Sequence, residues 1–389
     1  MTYRILTLND ISPKGLARLP RERYEVGSKL TAPDAILVRS ADMHTTPVAR
    51  EVRAIGRAGA GTNNIPVAAM SRRGVPVFNA PGANANAVKE LVLAGLFLAA
   101  RNIGAAWLFA RALTGDDAAI DAAVEQGKKN FVGFELPGRT LGVVGLGAIG
   151  VEVANSALAL GMKVLGYDPQ ITVQRAWQLS SSVEQALSLE DLCARSDAIS
   201  VHVPLNEATA RLVNAARLKL MKPDGTLLNF ARAGIVDDQA VIAALEERRL
   251  HAYVCDFPNN ALKDHPRVVT LPHLGASTGE AEESCAIMVA EQLREFLENG
   301  NIRNSVNYPD AILARVPNTT RLAIANSNVP NMVGQITTCL AAARLNIADL
   351  LNKSRGGFAY TLIDVDGAVG EELLAQLCAI EGVLSARVL

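Results

Sequence analysis

A glycine-spaced segment at residues 139–169 constrains the fold of this chain more than any other feature. It reads RTLGVVGLGAIGVEVANSALALGMKVLGYDP, and Gly145, Gly147 and Gly150 have the G-x-G-x-x-G spacing between an apolar strand and a helix. The first glycine permits a tight turn, the second lets backbone N–H groups approach a diphosphate, and the third lets the helix pack close to the strand. The full context favours a diphosphate-binding βαβ unit over a glycine turn that serves packing alone.

The second apolar run of this segment ends on an acidic residue. Asp168 lies 18 residues after Gly150. A carboxylate at this position accepts a hydrogen bond from a ribose 2′-hydroxyl and repels a 2′-phosphate. The sequence therefore predicts NAD, rather than NADP, as the cofactor.

Two stretches of the chain alternate short β runs with helices. Residues 3–88 contain four such runs, and residues 139–276 contain six, which matches the strand count of a full dinucleotide-binding domain. We expect a long helix from about 88 to 103, a charged helical arm over 104–138, and an amphipathic helix over 277–299 that returns to the first lobe. The sequence thus predicts α/β architecture with two doubly wound parallel-sheet lobes, one flavodoxin-like and one Rossmann.

The C-terminal region has a different composition and a different element order. A linker at 301–318 carries two prolines and four asparagines, and residues 319–389 read as β-α-β-β-α-β, the ferredoxin-like arrangement. We expect a substrate-binding lobe at 1–88 completed by 277–303, a Rossmann domain at 89–276, and an independent small domain at 318–389.

Composition excludes several classes of partner. The net charge is −1 and no apolar run approaches the length of a membrane span, so we expect neither a nucleic-acid partner nor a membrane. The N-terminus begins in a strand pattern rather than a signal peptide. The five scattered cysteines indicate reduced core residues in a cytoplasmic protein. No metal site is expected, because none of the five histidines is grouped with cysteine or carboxylate residues at ligand spacing.

Polar residues follow the strands of the central domain. Arg232, Asp256 and His273 each come directly after an apolar run, and the carboxyl ends of parallel strands meet at one edge of a sheet. Oxidation of an alcohol by hydride transfer needs a base for the hydroxyl proton and a cation for a neighbouring carboxylate. His273 suits the first task and Arg232 the second. Taken singly, Arg232 could be a solvated surface arginine and His273 could be a hydrogen-bonded histidine of the core.

At these residues the chain resembles the D-2-hydroxyacid dehydrogenases. Within that family it resembles the members that oxidise 3-phospho-D-glycerate with NAD, in the first step of L-serine biosynthesis, and that carry a C-terminal ACT domain. The matching blocks, in order, are VRS at 38–40, GRAGAGTNNI at 56–65, VFNAPGANANAVKEL at 77–91, GLGAIG, HVPL, NFARAGIVD and LPHLGAST. The resemblance implies that Arg232 binds the substrate carboxylate and that His273 is the acid/base.

The resemblance also assigns contacts to the cofactor and to the substrate. It implies that Asp256 holds the nicotinamide amide. The other cofactor contacts that we expect are Gly145, Gly147, Ala148, Ile149, Gly150, Asp168, His202, Pro204, Ala231 and Gly275. The substrate's anionic end is expected to meet Arg39, Ser40, Arg57 and Asn63.

One departure from the family concerns the partner of His273. Most members carry a glutamate a few residues after the DFP block, hydrogen-bonded to the histidine, whereas this chain reads DFPNNALKDHP. Asn259 or Asn260 stands at that position, and Asp264 is an alternative partner. A carboxylate would raise the pKa of the histidine, while an amide would only orient the ring.

The C-terminal region resembles ACT domains, which bind amino acids at subunit interfaces. The two effector asparagines of serine-inhibited relatives correspond to Asn328 and Asn346, but Asn326 replaces a histidine and Asn331 replaces a turn glycine. Asparagine tolerates the left-handed conformation that such a turn requires. The resemblance implies a homodimer or homotetramer with weak inhibition by L-serine, and a module that serves assembly alone is the alternative.

Two further interpretations of the whole chain stay open on the sequence alone. One is a related dehydrogenase or reductase that acts on glycerate or hydroxypyruvate. The other is a non-catalytic NAD-sensing regulator, which the absent glutamate favours and the presence of Arg232 and His273 disfavours.

Overall fold

The computed structural model describes residues 2–389, which form two compact units. One unit contains the residues up to Asn84 together with Gly279–Leu389, and the other is Ala85–Thr278. The breaks fall four and two residues from those expected at 88 and 276. The C-terminal region belongs to the first unit, whereas the sequence suggested an independent domain.

The first unit opens with a five-stranded parallel sheet. Its elements are β1 (Tyr3–Leu8), α1 (Pro13–Leu16), β2 (Tyr24–Gly27), β3 (Ala35–Val38), β4 (Ala54–Arg57), α2 (Val67–Arg72) and β5 (Val77–Phe78). The strand order β2-β1-β3-β4-β5 is the flavodoxin-like order. The sequence analysis missed β2, an edge strand whose residues YEVG carry only a short apolar signal.

The second unit begins with helices and continues as a seven-stranded parallel sheet. Its elements are α3 (Ala85–Ala100), α4 (Ile103–Ala112), α5 (Asp117–Gly127), a 3-10 turn (Lys128–Phe131), β6 (Thr140–Val144), α6 (Ala148–Ala159), β7 (Lys163–Tyr167), α7 (Val173–Gln178), β8 (Glu184–Gln185), α8 (Leu189–Arg195), β9 (Ala198–Val201), α9 (Ala215–Leu218), β10 (Gly225–Asn229), α10 (Asp238–Glu246), β11 (Leu250–Cys255) and β12 (Val268–Thr270). The strand order is β12-β11-β10-β9-β6-β7-β8, a Rossmann-like arrangement with one added strand. All six predicted strands are present, and the missed seventh, β8, is a two-residue edge strand.

The first unit is completed by a long helix and an antiparallel sheet. The elements are α11 (Gly279–Asn299), β13 (Thr320–Ser327), α12 (Met332–Ala342), β14 (Asn346–Arg355), β15 (Phe358–Asp366), α13 (Glu371–Ala379) and β16 (Val383–Val388). The predicted β-α-β-β-α-β order is confirmed, and the strands lie in the order β14-β15-β13-β16. As expected, α11 packs on the parallel sheet. A Cβ added to Gly56 on β4 would lie 2.4 Å from Val289 Cγ1.

The C-terminal sheet shares its core with the parallel sheet of the same unit. One continuous apolar cluster joins Phe78, Phe296, Ala323, Tyr360 and Leu362. Tyr360 Oη donates to the Gly300 carbonyl at 2.7 Å, and the Ser385 hydroxyl donates to the Gly74 carbonyl at 3.2 Å. The two sheets are therefore parts of one folded body.

A buried ion pair fixes the linker to this body. Arg321 and Asp364 are both fully buried, and the guanidinium Nε and Nη2 each donate to one carboxylate oxygen at 2.7 Å. The other N–H groups of Arg321 donate to the carbonyls of Asn299, Leu313 and Ala314. Burial alone would raise the pKa of Asp364, but the hydrogen bonds from Arg321 and from the Val316 amide lower it.

No single described helix is long and apolar enough to cross a membrane. The helices α3 and α4 reach that length and apolarity only as a pair, which is bent by 65°.

Candidate active site

The glycine turn has the geometry that the spacing predicts. Gly145 has φ +90°, and a Cβ there would lie 2.7 Å from the His202 carbonyl oxygen. A Cβ on Gly150 would lie 1.9 Å from the Gly145 carbonyl oxygen, so α6 sits directly on the end of β6. At Gly147, in contrast, an added Cβ would meet no atom within 4 Å. Gly147 precedes α6 without a side-chain cap, so the free N–H groups of this helix end suit an anion.

Asp168 follows β7 directly and is bonded to the glycine turn. Its two carboxylate oxygens accept hydrogen bonds from the backbone N–H groups of Leu146, at 2.8 Å, and Gln170, at 2.9 Å. Each oxygen keeps one further lone pair. The carboxylate is half-buried beside the glycine turn, so its free lone pairs are available to a ribose hydroxyl.

A buried asparagine shapes the turn that carries Arg232. Asn229 at the end of β10 is 1% exposed, accepts a hydrogen bond from the Ala231 amide at 3.1 Å and donates to the Arg232 carbonyl at 2.9 Å. The Arg232 side chain is exposed and donates to the Ala231 carbonyl at 2.6 Å. The sequence analysis did not identify Asn229, although an asparagine at a strand end is a recognised signal for a turn.

His273 lies in a turn that Asp256 holds in place. Asp256 is 1% exposed, and its two oxygens accept hydrogen bonds from the backbone N–H groups of Leu274 and Gly275, each at 2.8 Å. His273 itself has φ +56°, a conformation that costs free energy in a residue with a Cβ. A strained residue fixed by a buried carboxylate is typical of a functional site.

None of the three proposed partners, Asn259, Asn260 and Asp264, forms a hydrogen bond with the His273 ring. The Asn259 amide donates to Asp238 at 2.8 Å, and Asp264 forms an ion pair with Lys263. Across residues 2–389 the ring makes no hydrogen bond, and it packs edge-on against Phe257 with 5.4 Å between ring centroids. In this structure the ring is therefore oriented by an aromatic contact rather than by a carboxylate or an amide.

His202 follows β9, next to the glycine turn. Its Nε2 lies 2.8 Å from Ser200 Oγ, and its Nδ1 is buried without a hydrogen-bond partner among the described residues. Burial lowers the pKa of His202 to about 4, so the ring is neutral at pH 7. The remaining residues expected to contact the cofactor lie at the same carboxyl edge of the sheet: Ala148 and Ile149 in the first turn of α6, Pro204 beyond β9, and Ala231 beyond β10.

The residues expected to contact the substrate's anionic end lie at the carboxyl edge of the first unit's parallel sheet. Arg39 and Ser40 follow β3, Arg57 ends β4, and Asn63 is an exposed residue in the loop that follows. Arg57 Nε donates to the Arg39 carbonyl at 3.1 Å, which joins the two strand ends. Arg39 also forms an ion pair with Glu282 in the first turn of α11.

Two asparagines that the sequence analysis missed support this cluster. Asn9, with φ +72°, accepts hydrogen bonds from the amides of Ser40 and Ala41 at 3.0 and 2.6 Å. Asn64 donates to the carbonyls of Arg39 and Ala41 at 3.3 and 2.8 Å. Asn9 lies outside the matching family blocks, and Asn64 lies within GRAGAGTNNI without an assigned role, so only the folded chain reveals their function as supports.

The two expected effector residues lie at opposite ends of the C-terminal sheet. Asn346 pairs with Asp366 at one end, whereas Asn328 bonds to Gly356 beyond the other. The full length of β15, nine residues, separates these two levels, which is about 30 Å. Asn331 has φ +66°, so the expected left-handed turn is confirmed. Asn326 is 1% exposed and its Oδ1 has no hydrogen-bond partner among the described residues.

Comparison with known proteins gives consistent matches. Residues 103–275 match the family described as D-isomer specific 2-hydroxyacid dehydrogenase, NAD binding domain. A D-3-phosphoglycerate dehydrogenase of Haemophilus influenzae is 33% identical over 350 residues, which cover 86% of this chain and 81% of the relative. That of Methanocaldococcus jannaschii is 37% identical over 74% of this chain and 54% of the relative, so the chain spans about half the length of the latter. The apo crystal structure of Rhodotorula graminis D-mandelate dehydrogenase is 25% identical, with a TM-score of 0.69 over 81% of this chain and 100% of that one.

Proposed function

The chain belongs to the D-isomer-specific 2-hydroxyacid dehydrogenase family, and from this premise we propose that it is a D-3-phosphoglycerate dehydrogenase. It would oxidise 3-phospho-D-glycerate to 3-phosphohydroxypyruvate with NAD, in the first step of L-serine biosynthesis. The observation that carries the proposal is the pair Arg232 and His273, each in a turn built by a buried residue at the carboxyl edge of one parallel sheet.

The residues of the glycine turn fit the cofactor. Gly147 leaves open space before the uncapped end of α6, and Asp168 offers lone pairs to a ribose. When bound there, NAD would supply the hydride acceptor for the substrate's C2. The resemblance assigns the nicotinamide amide to Asp256, whose oxygens already accept two backbone hydrogen bonds and keep one lone pair each.

His273 and Arg232 would carry out the proton transfer and bind the substrate. His273 accepts the proton of the C2 hydroxyl as the carbonyl forms, and returns it in the reverse reaction. Arg232 binds the substrate carboxylate through its planar fork of N–H donors and stabilises the developing oxygen charge. Without a carboxylate partner for His273, the imidazolium lacks one source of stabilisation, so proton transfer would rest on ring orientation by Phe257.

The phosphate of the substrate would be bound by Arg39 and Arg57. Both lie at the carboxyl edge of the first unit's sheet, where Ser40 follows Arg39 in the chain and Asn63 lies in the loop after β4. Lys128 and Lys129, on the arm of a second subunit, are further candidates. The alternative function is a related dehydrogenase or reductase that acts on glycerate or hydroxypyruvate. Such a substrate has no phosphate, so its enzyme needs fewer cations at this position.

Substitution of Arg232 tests the proposed chemistry. The variant Arg232→Lys keeps the charge but loses the bidentate contact, so kcat/KM with 3-phosphoglycerate as substrate should fall at least tenfold. The exposed Arg248 on the same unit gives a matched control, since Arg248→Lys should leave kcat/KM unchanged. Equal activity of the two variants would refute the role of Arg232.

The C-terminal sheet would act as an ACT domain in a homodimer or homotetramer. Within residues 2–389, β14 pairs with β15 alone and its outer edge is open. Antiparallel pairing of two such edges would bring Asn328 of one copy to the level of Asn346 in the other. L-serine would bind there weakly, because Asn326 replaces the family histidine. Calorimetric titration with serine, combined with a rate measurement, tests this: weak inhibition at millimolar serine supports it, and no heat at that concentration would leave the sheet an assembly module.

A further inference from the structure

Arg39 is positioned by hydrogen bonds to its backbone carbonyl and by one ion pair of its side chain. Its carbonyl accepts hydrogen bonds from Arg57 Nε, at 3.1 Å, and from the Asn64 amide, at 3.3 Å. The guanidinium is 40% exposed, and its Nη2 contacts one carboxylate oxygen of Glu282, itself 40% exposed. The Nε and Nη1 donors of Arg39 make no hydrogen bond to any residue in the range 2–389. Arg39 therefore has donors available for an anion, beside a carboxylate that is already in place.

The packing of α11 fixes the backbone position of Glu282. The buried face of this helix includes Cys285, Val289 and Leu293, which lie in the core of the unit. Its C-terminal end is held from the C-terminal sheet, where Arg387 donates to the carbonyls of Phe296 and Leu297 and lies 4.0 Å above the Phe296 ring. These contacts keep the backbone of α11, and with it the attachment point of Glu282, beside Arg39.

A phosphate dianion that binds Arg39 thus meets a negative charge on the same guanidinium. It must either displace Glu282 from Nη2 or bind beside it against like-charge repulsion. For half-exposed groups a few ångströms apart in physiological salt, such an effect is roughly a three- to tenfold change in affinity. An uncharged substituent at the same position would not experience this repulsion.

We propose that Glu282 is a specificity-determining residue that competes with the substrate's phosphate for Arg39. It weakens the binding of phosphorylated 2-hydroxyacids relative to unphosphorylated ones. The affinity of the site for phosphate is therefore lower than Arg39 and Arg57 would give without the Glu282 carboxylate. The inference rests on the proposed function in one respect, since it takes Arg39 to be the residue that meets the phosphate.

The test uses the full chain with NADH bound and inorganic phosphate as the probe. In Glu282→Gln, the Kd of phosphate measured by calorimetry should fall three- to tenfold. With 3-phosphoglycerate as substrate, KM should fall by a similar factor, while kcat and the KM for D-glycerate stay constant. Glu283 lies in the same turn and pairs with Lys14 at 2.6 Å. The variant Glu283→Gln is therefore the matched control. It should change neither the Kd of phosphate nor the KM for 3-phosphoglycerate.

Repeating Glu282→Gln in the Arg39→Ala variant distinguishes competition for Arg39 from direct repulsion between Glu282 and the phosphate. In Arg39→Ala, the further substitution Glu282→Gln should not change the Kd of phosphate. The proposal is overturned if Glu282→Gln weakens or leaves unchanged the binding of phosphate, if Glu283→Gln has the same effect, or if the effect persists without Arg39. If the wild-type protein turns over glycerate but not 3-phosphoglycerate, the proposed function fails, while the phosphate titrations still decide the role of Glu282.

Discussion

At the scale of single residues, the chemistry depends on side chains fixed by buried neighbours. The strand-end positions of Arg232, Asp256 and His273 could be predicted from the sequence, because an apolar run followed by a polar residue marks the end of a buried strand. The contacts of Asn229, Asn9 and Asn64 could not, since each acts through backbone groups that only the folded chain brings near.

His273 is the first residue to test. Replacement by alanine should lower kcat by about two to four orders of magnitude, the usual contribution of a general base. The Kd of NADH should stay within about twofold, because the glycine turn and Asp168 lie on other strands of the sheet. Steady-state kinetics and a fluorescence titration with NADH measure the two quantities. A variant with near-normal kcat would show that another group takes the proton.

His202 predicts a dependence of stability on pH. Its pKa is lowered to about 4 by burial, below the value of about 6.5 in an unfolded chain. Between pH 6.5 and 4 the His202 ring is therefore neutral in the folded chain and protonated in the unfolded chain. The contribution of His202 to the free energy of unfolding is complete above pH 6.5 and is lost as the pH falls towards 4. Between pH 7 and 5 the loss should be about 2 kcal/mol. Urea unfolding of His202→Gln should show a correspondingly smaller fall, and equal falls in the two proteins would contradict the assignment.

At the scale of elements, the sequence predicted the glycine turn and its flanking strands more accurately than any other part of the fold. Their spacing predicts β6, α6 and β7, and Gly145, Gly147 and Gly150 have the three geometries expected. The strands β2 and β8 were missed because edge strands of four and two residues bury few side chains, and their sequences carry little apolar periodicity.

Asp168 links this element to the choice of cofactor. Because its carboxylate is fixed beside the turn by Leu146 and Gln170, it should repel a 2′-phosphate. Wild-type protein should have a kcat/KM for NAD at least tenfold above that for NADP, and Asp168→Ala should reduce this ratio towards one. Exposed Asp117 on α5 offers the control, since Asp117→Ala should not change the ratio. Comparable use of both cofactors by the wild type would refute the assignment.

At the scale of the whole molecule, the main departure from the sequence analysis is the attachment of the C-terminal sheet. Prolines and asparagines in residues 301–318 indicated a linker and a separate domain. Instead, Asn307 and Tyr308 of this segment bond to Ser71 in α2, and Arg321 binds three carbonyls of the segment and of α11. Local composition does not report such long-range contacts.

The buried pair Arg321–Asp364 provides a test of this attachment. Asp364→Asn would leave the guanidinium as an uncompensated buried charge, which costs about 3–5 kcal/mol. Because the sheets share one core, hydrogen exchange should accelerate together in β3, β4 and β13. Asp366→Asn, at the exposed end of the same strand, should have little effect. Faster exchange confined to β13–β16 would contradict a shared folding unit.

The measurement that most directly tests the central claim is the substrate preference of the purified chain. NADH formation should be followed by its near-ultraviolet absorbance with 3-phospho-D-glycerate and with D-glycerate, for the wild type and for Arg57→Ala. We expect kcat/KM to be higher for the phosphorylated acid, and we expect Arg57→Ala to reduce this preference at least tenfold while largely sparing turnover of glycerate. A higher kcat/KM for glycerate in the wild type would contradict the account and favour a glycerate or hydroxypyruvate enzyme.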